Sequence, residues 1–132
     1  MIRLAIPLLI LAAGGAATAA IQENRKPDAA TARVERTLAG LTPGKPRNCI
    51  PRNRISELRT ADGVILYVSG RNRVYRNDVL GQCAGLRRDD MVVSFSAISG
   101  DYCRGDIIRT RARTGGMMTG SCALGTFVPY TK

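Results

Sequence analysis

Four cysteines in a short chain without histidine constrain the fold more than any other feature. They are Cys49, Cys83, Cys103 and Cys122. An even number of cysteines in a small exported chain is typical of a disulfide framework. No CxxC pair occurs, and without histidine neither a zinc site nor an activated cysteine nucleophile is indicated. We therefore predict two structural disulfides.

The pairing of these cysteines stays open. One arrangement joins Cys83 to Cys103 and Cys49 to Cys122, and the alternative is a crossed pairing. In a strict meander Cys83 and Cys103 lie at opposite ends of one strand, about 26 Å apart at 3.3 Å per residue. That pair requires the loop Ala84–Asp90 to fold back along the sheet. Each closed loop contributes roughly 3–4 kcal/mol, comparable with the net stability of a small domain.

The N-terminus has the residue order of a secretory signal peptide. Arg3 precedes the apolar run Leu4–Leu11, and small residues follow up to Ala20. This order predicts cleavage near Ala20 or Ile21. The alternative is an uncleaved anchor, but the strongly apolar run is shorter than the roughly 20 residues that span a bilayer. We predict a signal peptide over residues 1–20 and an exported mature chain with no membrane span.

Residues 21–47 are predicted to form a linker with a short helix over residues 29–39. Asp28 is placed to cap this helix and Gly40 to end it. Its narrow apolar stripe consists of Ala30, Val34 and Leu38. Two prolines and a glycine in Leu41–Pro46 indicate a turn without regular structure. We place the domain boundary there.

Residues 48–132 have the hydrophobic period of strands separated by glycine turns. Asp62-Gly63 predicts a two-residue hairpin loop, which sets Thr60 opposite Ile65. The predicted strands are Ile55–Thr60, Val64–Ser69, Arg73–Asn77, Met91–Ile98, Ile107–Arg113, Met117–Cys122 and Thr126–Tyr130. Short strands at this spacing are typical of an all-β fold. We expect a small antiparallel meander or barrel of five to seven strands, stabilised by disulfides.

The fourth predicted strand shows a clear alternation. Val93, Phe95 and Ala97 fall on one face, and Ser94 and Ser96 fall on the other. Most of the few aromatic residues lie in strands that need a core, which disfavours a row of aromatic platforms for nucleic acid.

The positive charge makes polyanion binding a hypothesis. The chain has 20 basic and 10 acidic residues, a net charge of +10, and loss of one basic residue with the signal peptide leaves +9. Arg109, Arg111 and Arg113 alternate along a predicted strand, so they share a face with a spacing of about 6.6 Å that suits successive phosphates. Arg71 and Arg73 are further candidates. The alternative is a charged strand that protects an exposed edge.

No catalytic or metal site is indicated. Four acidic residues between Cys83 and Asp106 are flanked by arginines and lack the spacing of a calcium loop, so we expect local salt bridges. They are Asp89, Asp90, Asp101 and Asp106. Arg104-Gly105-Asp106 matches a cell-adhesion tripeptide, but we expect Gly105 to form a turn and Asp106 to cap it or to pair with an arginine. The serines lack a histidine base. We predict a non-enzymatic protein without a cofactor.

The contexts of the cysteines together resemble a family of small exported bacterial proteins classed as a domain of unknown function. The segments that carry the resemblance are Cys49-Ile50, Gly70-Arg71, Tyr75-Arg76-Asn77, Cys83-Ala-Gly-Leu86, Cys103 with Asp106-Ile-Ile108, and Gly120-Ser-Cys122-Ala-Leu-Gly-Thr-Phe127. The resemblance covers Leu38 to Tyr130, with Ala84 where proline is expected. It implies a location in the bacterial envelope, periplasmic or secreted, and no catalytic residues.

Three functions are consistent with these observations. The first is a non-enzymatic structural or binding protein of the envelope. The second is a basic module that binds nucleic acid, lipopolysaccharide or a phospholipid surface through the arginines. The third is an inhibitor of an exported enzyme. The expected partners are therefore anionic envelope components or an exported protein.

Overall fold

The computed structural model describes residues 28–95 and 100–132, which form mostly antiparallel β-structure. Helix α1 covers Ala29–Leu38. The strands are β1 (Thr42–Pro43), β2 (Cys49–Pro51), β3 (Glu57–Ala61), β4 (Val64–Ser69), β5 (Arg73–Asp78), β6 (Met91–Phe95), β7 (Asp101–Cys103), β8 (Ile107–Arg111), β9 (Met118–Ala123) and β10 (Phe127–Thr131). The predicted all-β class with one short N-terminal helix is confirmed. The predicted signal peptide and residues 96–98 of the fourth predicted strand lie outside the described residues.

The ten strands form three sheets. The order is β1-β10-β5-β4-β3 in the five-stranded sheet, β6-β8-β9 in the three-stranded sheet, and β2-β7 in the two-stranded sheet. The predicted antiparallel meander or barrel of five to seven strands has fewer strands than the ten observed. The order along the chain also differs from a meander, because β10 pairs with β5, β6 pairs with β8, and β7 pairs with the distant β2. Strands of two or three residues carry no periodicity that a sequence pattern reveals.

The β3–β4 hairpin has the predicted register. Thr60 lies opposite Ile65, and Leu58 lies opposite Tyr67. Gly63 has a φ of 71°, in the left-handed region that glycine adopts without steric cost. The local turn chemistry therefore determines how these two strands align.

The segment 41–46, predicted to lack regular structure, contains an edge strand. β1 pairs with the end of β10. The N–H groups of Gly44 and Arg47 donate to the carbonyls of Pro129 (2.7 Å) and Phe127 (2.8 Å). An edge strand tolerates proline because its missing N–H is not needed by a second neighbour. The connection thus follows the sheet.

Both faces of the five-stranded sheet are covered. Its inner face joins the main core, where Ile65, Tyr67 and Phe127 are fully buried. On the other face α1 packs through Val34, which is 4% exposed, and contacts a cluster that includes Leu66. The helix is capped as predicted, because the Asp28 carboxylate accepts a hydrogen bond of 2.7 Å from the backbone N–H of Thr31.

Within residues 28–95 and 100–132, the three-stranded sheet is covered on one face only. Ile108 and Thr110 are fully buried on the inner side, where Val92 also packs against the main core. By contrast, Ile107 is 46% exposed and Phe95 is 47% exposed. The apolar Val93/Phe95 side of β6 therefore faces outward.

The disulfides have the crossed pairing. Cys49 is joined to Cys103 and Cys83 to Cys122. Cys49 and Cys103 are directly opposite in the β2–β7 ladder, because β7 leaves the neighbourhood of β6 to pair with β2. The alternative Cys83–Cys103 pair is therefore not formed.

A buried side-chain amide links β5 of the five-stranded sheet to the segment that connects β9 with β10. The Asn77 side chain donates to the carbonyl of Gly125 (2.8 Å) and accepts from its N–H (2.9 Å). Asn77 is fully buried at the end of β5, and Gly125 lies between β9 and β10. The side chain thus imitates one step of backbone pairing across a 48-residue separation.

Candidate functional site

The five arginines predicted as polyanion ligands divide between two surfaces. Arg71 and Arg73 lie at the turn between β4 and β5 and at the start of β5, in the five-stranded sheet. Arg109 and Arg111 lie in β8 of the three-stranded sheet, and Arg113 follows its end. The structure therefore does not bring the five together.

The predicted common face of Arg109, Arg111 and Arg113 is incomplete. β8 ends at Arg111, and its pairing with β9 is irregular at that residue. Arg113 turns instead to Asp89, donating from Nε to its carbonyl (2.8 Å), with Nη2 3.8 Å from its carboxylate. Arg113 thus links two parts of the fold.

Arg71 and Arg73 belong to a different cluster of cations, which we call the basic corner. Its members are Lys45, Arg47, Arg71, Arg73 and Lys132, and all five are exposed. They line two adjoining concavities of about 470 and 270 Å³ that share Arg73 and Thr131. Within residues 28–95 and 100–132, no ion pair joins any of the five to an acidic side chain. The described acidic side chains therefore do not pair with the cations of the basic corner.

Strand pairing assembles the basic corner from three separate parts of the chain. Thr131 in β10 is paired with Arg73 on one side and with Thr42 on the other. Residues 44–47 and the C-terminal Lys132 consequently flank Arg73. Sequence reasoning missed Lys45, Arg47 and Lys132 as site residues, since only the β1–β10–β5 order brings them together.

Asp89, Asp90 and Asp106, three of the four acidic residues predicted to form local pairs, make structural contacts. Asp89 adopts a left-handed conformation with φ of 59°. Its carboxylate accepts a hydrogen bond of 3.3 Å from Thr60 and lies 3.9 Å from Arg33. Asp89 therefore connects the helix, β3 and, through Arg113, the three-stranded sheet. Asp90 pairs with the neighbouring Arg88 at 3.5 Å.

The Arg104-Gly105-Asp106 tripeptide forms the expected turn. Gly105 has a φ of 87°, and the Asp106 carboxylate accepts a hydrogen bond of 2.9 Å from the N–H of Cys103. The N–H of Gly105 donates to the carbonyl of Leu124. The aspartate is thus committed to capping the turn before β8.

A buried polar cluster lies under the 3-10 turn that carries Gly85. Thr119 donates to Thr110 at 2.9 Å, and Asp90 is 9% exposed beside them. A methyl group on Gly85 would lie 2.6 Å from Asp90 Oδ2 and 2.7 Å from Thr110 Oγ1. Gly85 therefore allows the turn to rest directly on the cluster.

The shifted pKa values do not mark a catalytic cleft in the described part of the chain. Hydrogen bonding by Thr31 lowers the pKa of Asp28, and hydrogen bonding by Arg59 lowers the pKa of Glu57. Burial raises the pKa of Tyr67 within the aromatic core. These groups form a helix cap, a surface ion pair and a core contact. They do not converge on one cavity.

Another concavity, of about 540 Å³, lies beside the Cys83 turn. Among its lining residues, Arg87 and Asp62 form an ion pair of 2.6 Å, and this hydrogen bond raises the pKa of Arg87.

Within residues 28–95 and 100–132, no group of three or more histidine, cysteine, aspartate or glutamate residues is placed to hold a metal ion. No helix in the same part of the chain is long and apolar enough to cross a membrane.

Residues that carry the family resemblance occupy framework positions. Asn77 and Gly125 form the buried amide pair, Gly85 lies over the polar cluster, and the cysteines form the two disulfides. Comparison with protein-family models, curated proteins and solved structures gave no significant match. The resemblance therefore stays a prediction.

Proposed function

We propose that the protein is an exported, non-enzymatic binding protein of the bacterial envelope, and that its basic corner binds a phosphate-bearing glycan such as lipopolysaccharide. The observation that carries this proposal is the group of five exposed cations around two adjoining concavities. The signal-like N-terminus and the two disulfides support export to an oxidising compartment.

The chemistry of the corner suits phosphate groups. Arginine guanidinium groups bind phosphate in a bidentate manner, and lysine supplies a compact point charge. The three arginines and two lysines therefore combine directional and non-directional contacts. The net charge of +9 expected after loss of the signal peptide adds a longer-range attraction for anions.

The aromatic residues favour a glycan over single-stranded nucleic acid. Binding of unpaired bases relies on exposed aromatic rings, each stacking with a base. In the described residues Tyr67 and Phe127 are fully buried, and Tyr75, two residues from Arg73, is 2% exposed. Phe95 is exposed but belongs to the other surface. Tyr130 is half-buried, but it pairs with Val74 and therefore lies on the opposite face of the sheet from Thr131 and Arg73. The two concavities of the corner have no aromatic side chain among their lining residues.

Fluorescence anisotropy of labelled lipopolysaccharide and of a labelled single-stranded DNA tests this proposal. We expect lipopolysaccharide to bind more tightly, with an affinity that falls steeply between 50 and 200 mM salt, as expected for phosphate contacts (~10-fold or more). The variant R71Q/R73Q should weaken binding about 10-fold or more at low salt, because two phosphate contacts are lost.

The charge-matched control is R36Q/R54Q, which removes two exposed arginines that lie outside the corner. It should bind nearly as well as the unmodified protein. An affinity that does not change with salt would overturn the proposal. So would an equal loss in both double variants, because it would show a response to net charge alone.

A further inference from the structure

The exposed large apolar side chains of the described part of the chain collect at one surface. They are Leu80, Met91, Phe95, Ile107, Met117 and Met118, with exposed fractions of 44–74%. Scattered single apolar residues are common on protein surfaces, but a contiguous set marks an interaction site. This set is therefore a candidate interaction surface.

The register of the three-stranded sheet shows how they come together. Residues directly opposite in antiparallel strands point to the same side. Three rows run across the outer side, and we call this surface the outer face. The rows are Met91-Arg111-Met118, Val93-Arg109-Ser121 and Phe95-Ile107-Ala123, and the bridge from Ala123 extends the last row to Leu80.

A bulge in β9 completes the outer face. Thr110 is opposite Gly120, whereas the next residue, Arg111, is opposite Met118. Thr119 is therefore the extra residue, and its hydroxyl turns to the interior to bond Thr110. The bulge returns Met118 to the outer face beside Arg111, and Met117 precedes it at the turn.

Two arginines lie among these apolar residues. The guanidinium of Arg109 is 5.0 Å from the centre of the Phe95 ring, and Arg111 donates to the carbonyl of Gly116 at 3.2 Å. None of the described residues in the three rows is acidic. The outer face is thus apolar and positively charged, which calls for a partner that is apolar and negatively charged.

We propose that the outer face docks on the surface of an anionic phospholipid bilayer. A bilayer provides phosphates for the two arginines and, just below them, a hydrocarbon region for the methionine, isoleucine and phenylalanine side chains. The basic corner plays no part in this proposal, because it lies at the far end of β5 in the other sheet.

Size and charge argue against two other occupants. The three rows cover about 17 by 14 Å, from five residues at 3.3 Å each and three strands at 4.8 Å each, far below the roughly 800 Å² per partner of a stable protein complex. A second copy stacked face to face brings arginines toward arginines without a carboxylate to pair with them. A bilayer has neither restriction, since it is laterally continuous and anionic.

Vesicle flotation tests the docking directly. Vesicles of phosphatidylglycerol and phosphatidylcholine in equal amounts should carry the protein, and vesicles of phosphatidylcholine alone should bind it at least 10-fold more weakly. F95S/M118S and R109Q/R111Q should each reduce binding to the anionic vesicles about 10-fold or more. The control R36Q/R54Q removes the same charge elsewhere and should change binding less than threefold.

A single-tryptophan reporter locates the contact. The chain contains no tryptophan, so Phe95→Trp introduces one on the outer face and Asn72→Trp introduces one near the basic corner. Anionic vesicles should shift the emission of the Phe95→Trp protein to the blue and leave that of the Asn72→Trp protein unchanged.

Several outcomes would overturn this docking. Failure of the folded protein to bind anionic vesicles is one, and equal binding to neutral vesicles is another. An emission shift at position 72 alone would assign the membrane contact to the basic corner. Sedimentation that shows a dimer abolished by F95S/M118S would assign the outer face to a second copy.

The docking is independent of the function proposed for the basic corner. Loss of lipopolysaccharide binding in R71Q/R73Q with intact vesicle flotation would support two separate binding surfaces.

Discussion

The two larger sheets bury their strands differently. In β4, an inner strand of the five-stranded sheet between β5 and β3, Ile65, Leu66 and Tyr67 are consecutive and all fully buried. In β8, at the centre of the three-stranded sheet, buried Ile108 follows exposed Ile107. The first strand lies between the main core and α1, whereas the second has the core on one side only. A strand covered by two layers is apolar throughout, and a strand covered by one layer alternates.

This difference shows where a small domain can keep a functional surface. The five-stranded sheet uses both of its faces for packing, so only its end carries a candidate site, the basic corner. In the part of the chain that the structure describes, the three-stranded sheet uses one face for packing and leaves the other available. Apolar residues on that free face add little to folding, which makes a role in docking the better explanation for them.

The largest expected loss of stability comes from removing the buried disulfide that joins the connection between β5 and β6 to β9. C83A/C122A opens a 39-residue loop, worth about 4 kcal/mol in the chain-entropy model, and loses buried sulfur contacts worth about 1 kcal/mol more. Guanidinium denaturation measures the free energy of unfolding. The comparison variant C49A/C103A opens a 54-residue loop whose Cys49 is exposed, so about 4 kcal/mol is expected. A larger loss in the comparison variant would show that Cys83–Cys122 is not the principal connection.

A smaller loss of stability is expected from Asn77→Ala. The substitution leaves the N–H and carbonyl of Gly125 without the amide that satisfies them, which costs about 2–3 kcal/mol. Thermal and urea unfolding measure this loss. Asn72→Ala removes an exposed amide from a turn and should change stability by less than about 0.5 kcal/mol. Equal effects of the two changes would contradict a connecting role for Asn77.

The smallest expected losses of stability compare the face of the five-stranded sheet that α1 covers with the exposed outer face of the three-stranded sheet. Val34→Ala removes two methyl groups from the contact between α1 and the five-stranded sheet and should cost about 2 kcal/mol. Phe95→Ala removes a whole aromatic ring from the outer face and should cost less than about 1 kcal/mol, mainly the stacking with Arg109. Urea unfolding measures both losses. If Phe95→Ala lowered the free energy of unfolding more than Val34→Ala, the outer face would be part of the folding core.

Local features of the fold were predictable because they depend on neighbouring residues. Asp28 caps α1 through a residue three positions away, and the Asp62-Gly63 turn sets the register of the β3–β4 hairpin. The roles of Gly105 and Asp106 in a turn follow from the same short-range chemistry. Each of these contacts spans a few residues, so the sequence alone contains the information.

Long-range pairings were not predictable in the same way. The short β2 and β7 have no pattern of their own, and their pairing places Cys49 opposite Cys103. The β1–β10–β5 order collects Lys45, Arg73 and Lys132 from three parts of the chain. The predicted arginine row missed this cluster because side chains far apart in sequence share a surface only after the sheet has formed.

By itself the sequence determined the all-β class, the capped helix, the hairpin register and the presence of two disulfides, since periodicity, turn residues and cysteine number are local properties. The alternation in Met91–Phe95 also divided that strand into two faces. Only the tertiary structure decided that the side with Phe95 faces outward and the side with Val92 faces the core. The physical reason is that periodicity shows which side chains share a side, whereas the neighbouring layers decide which side is buried.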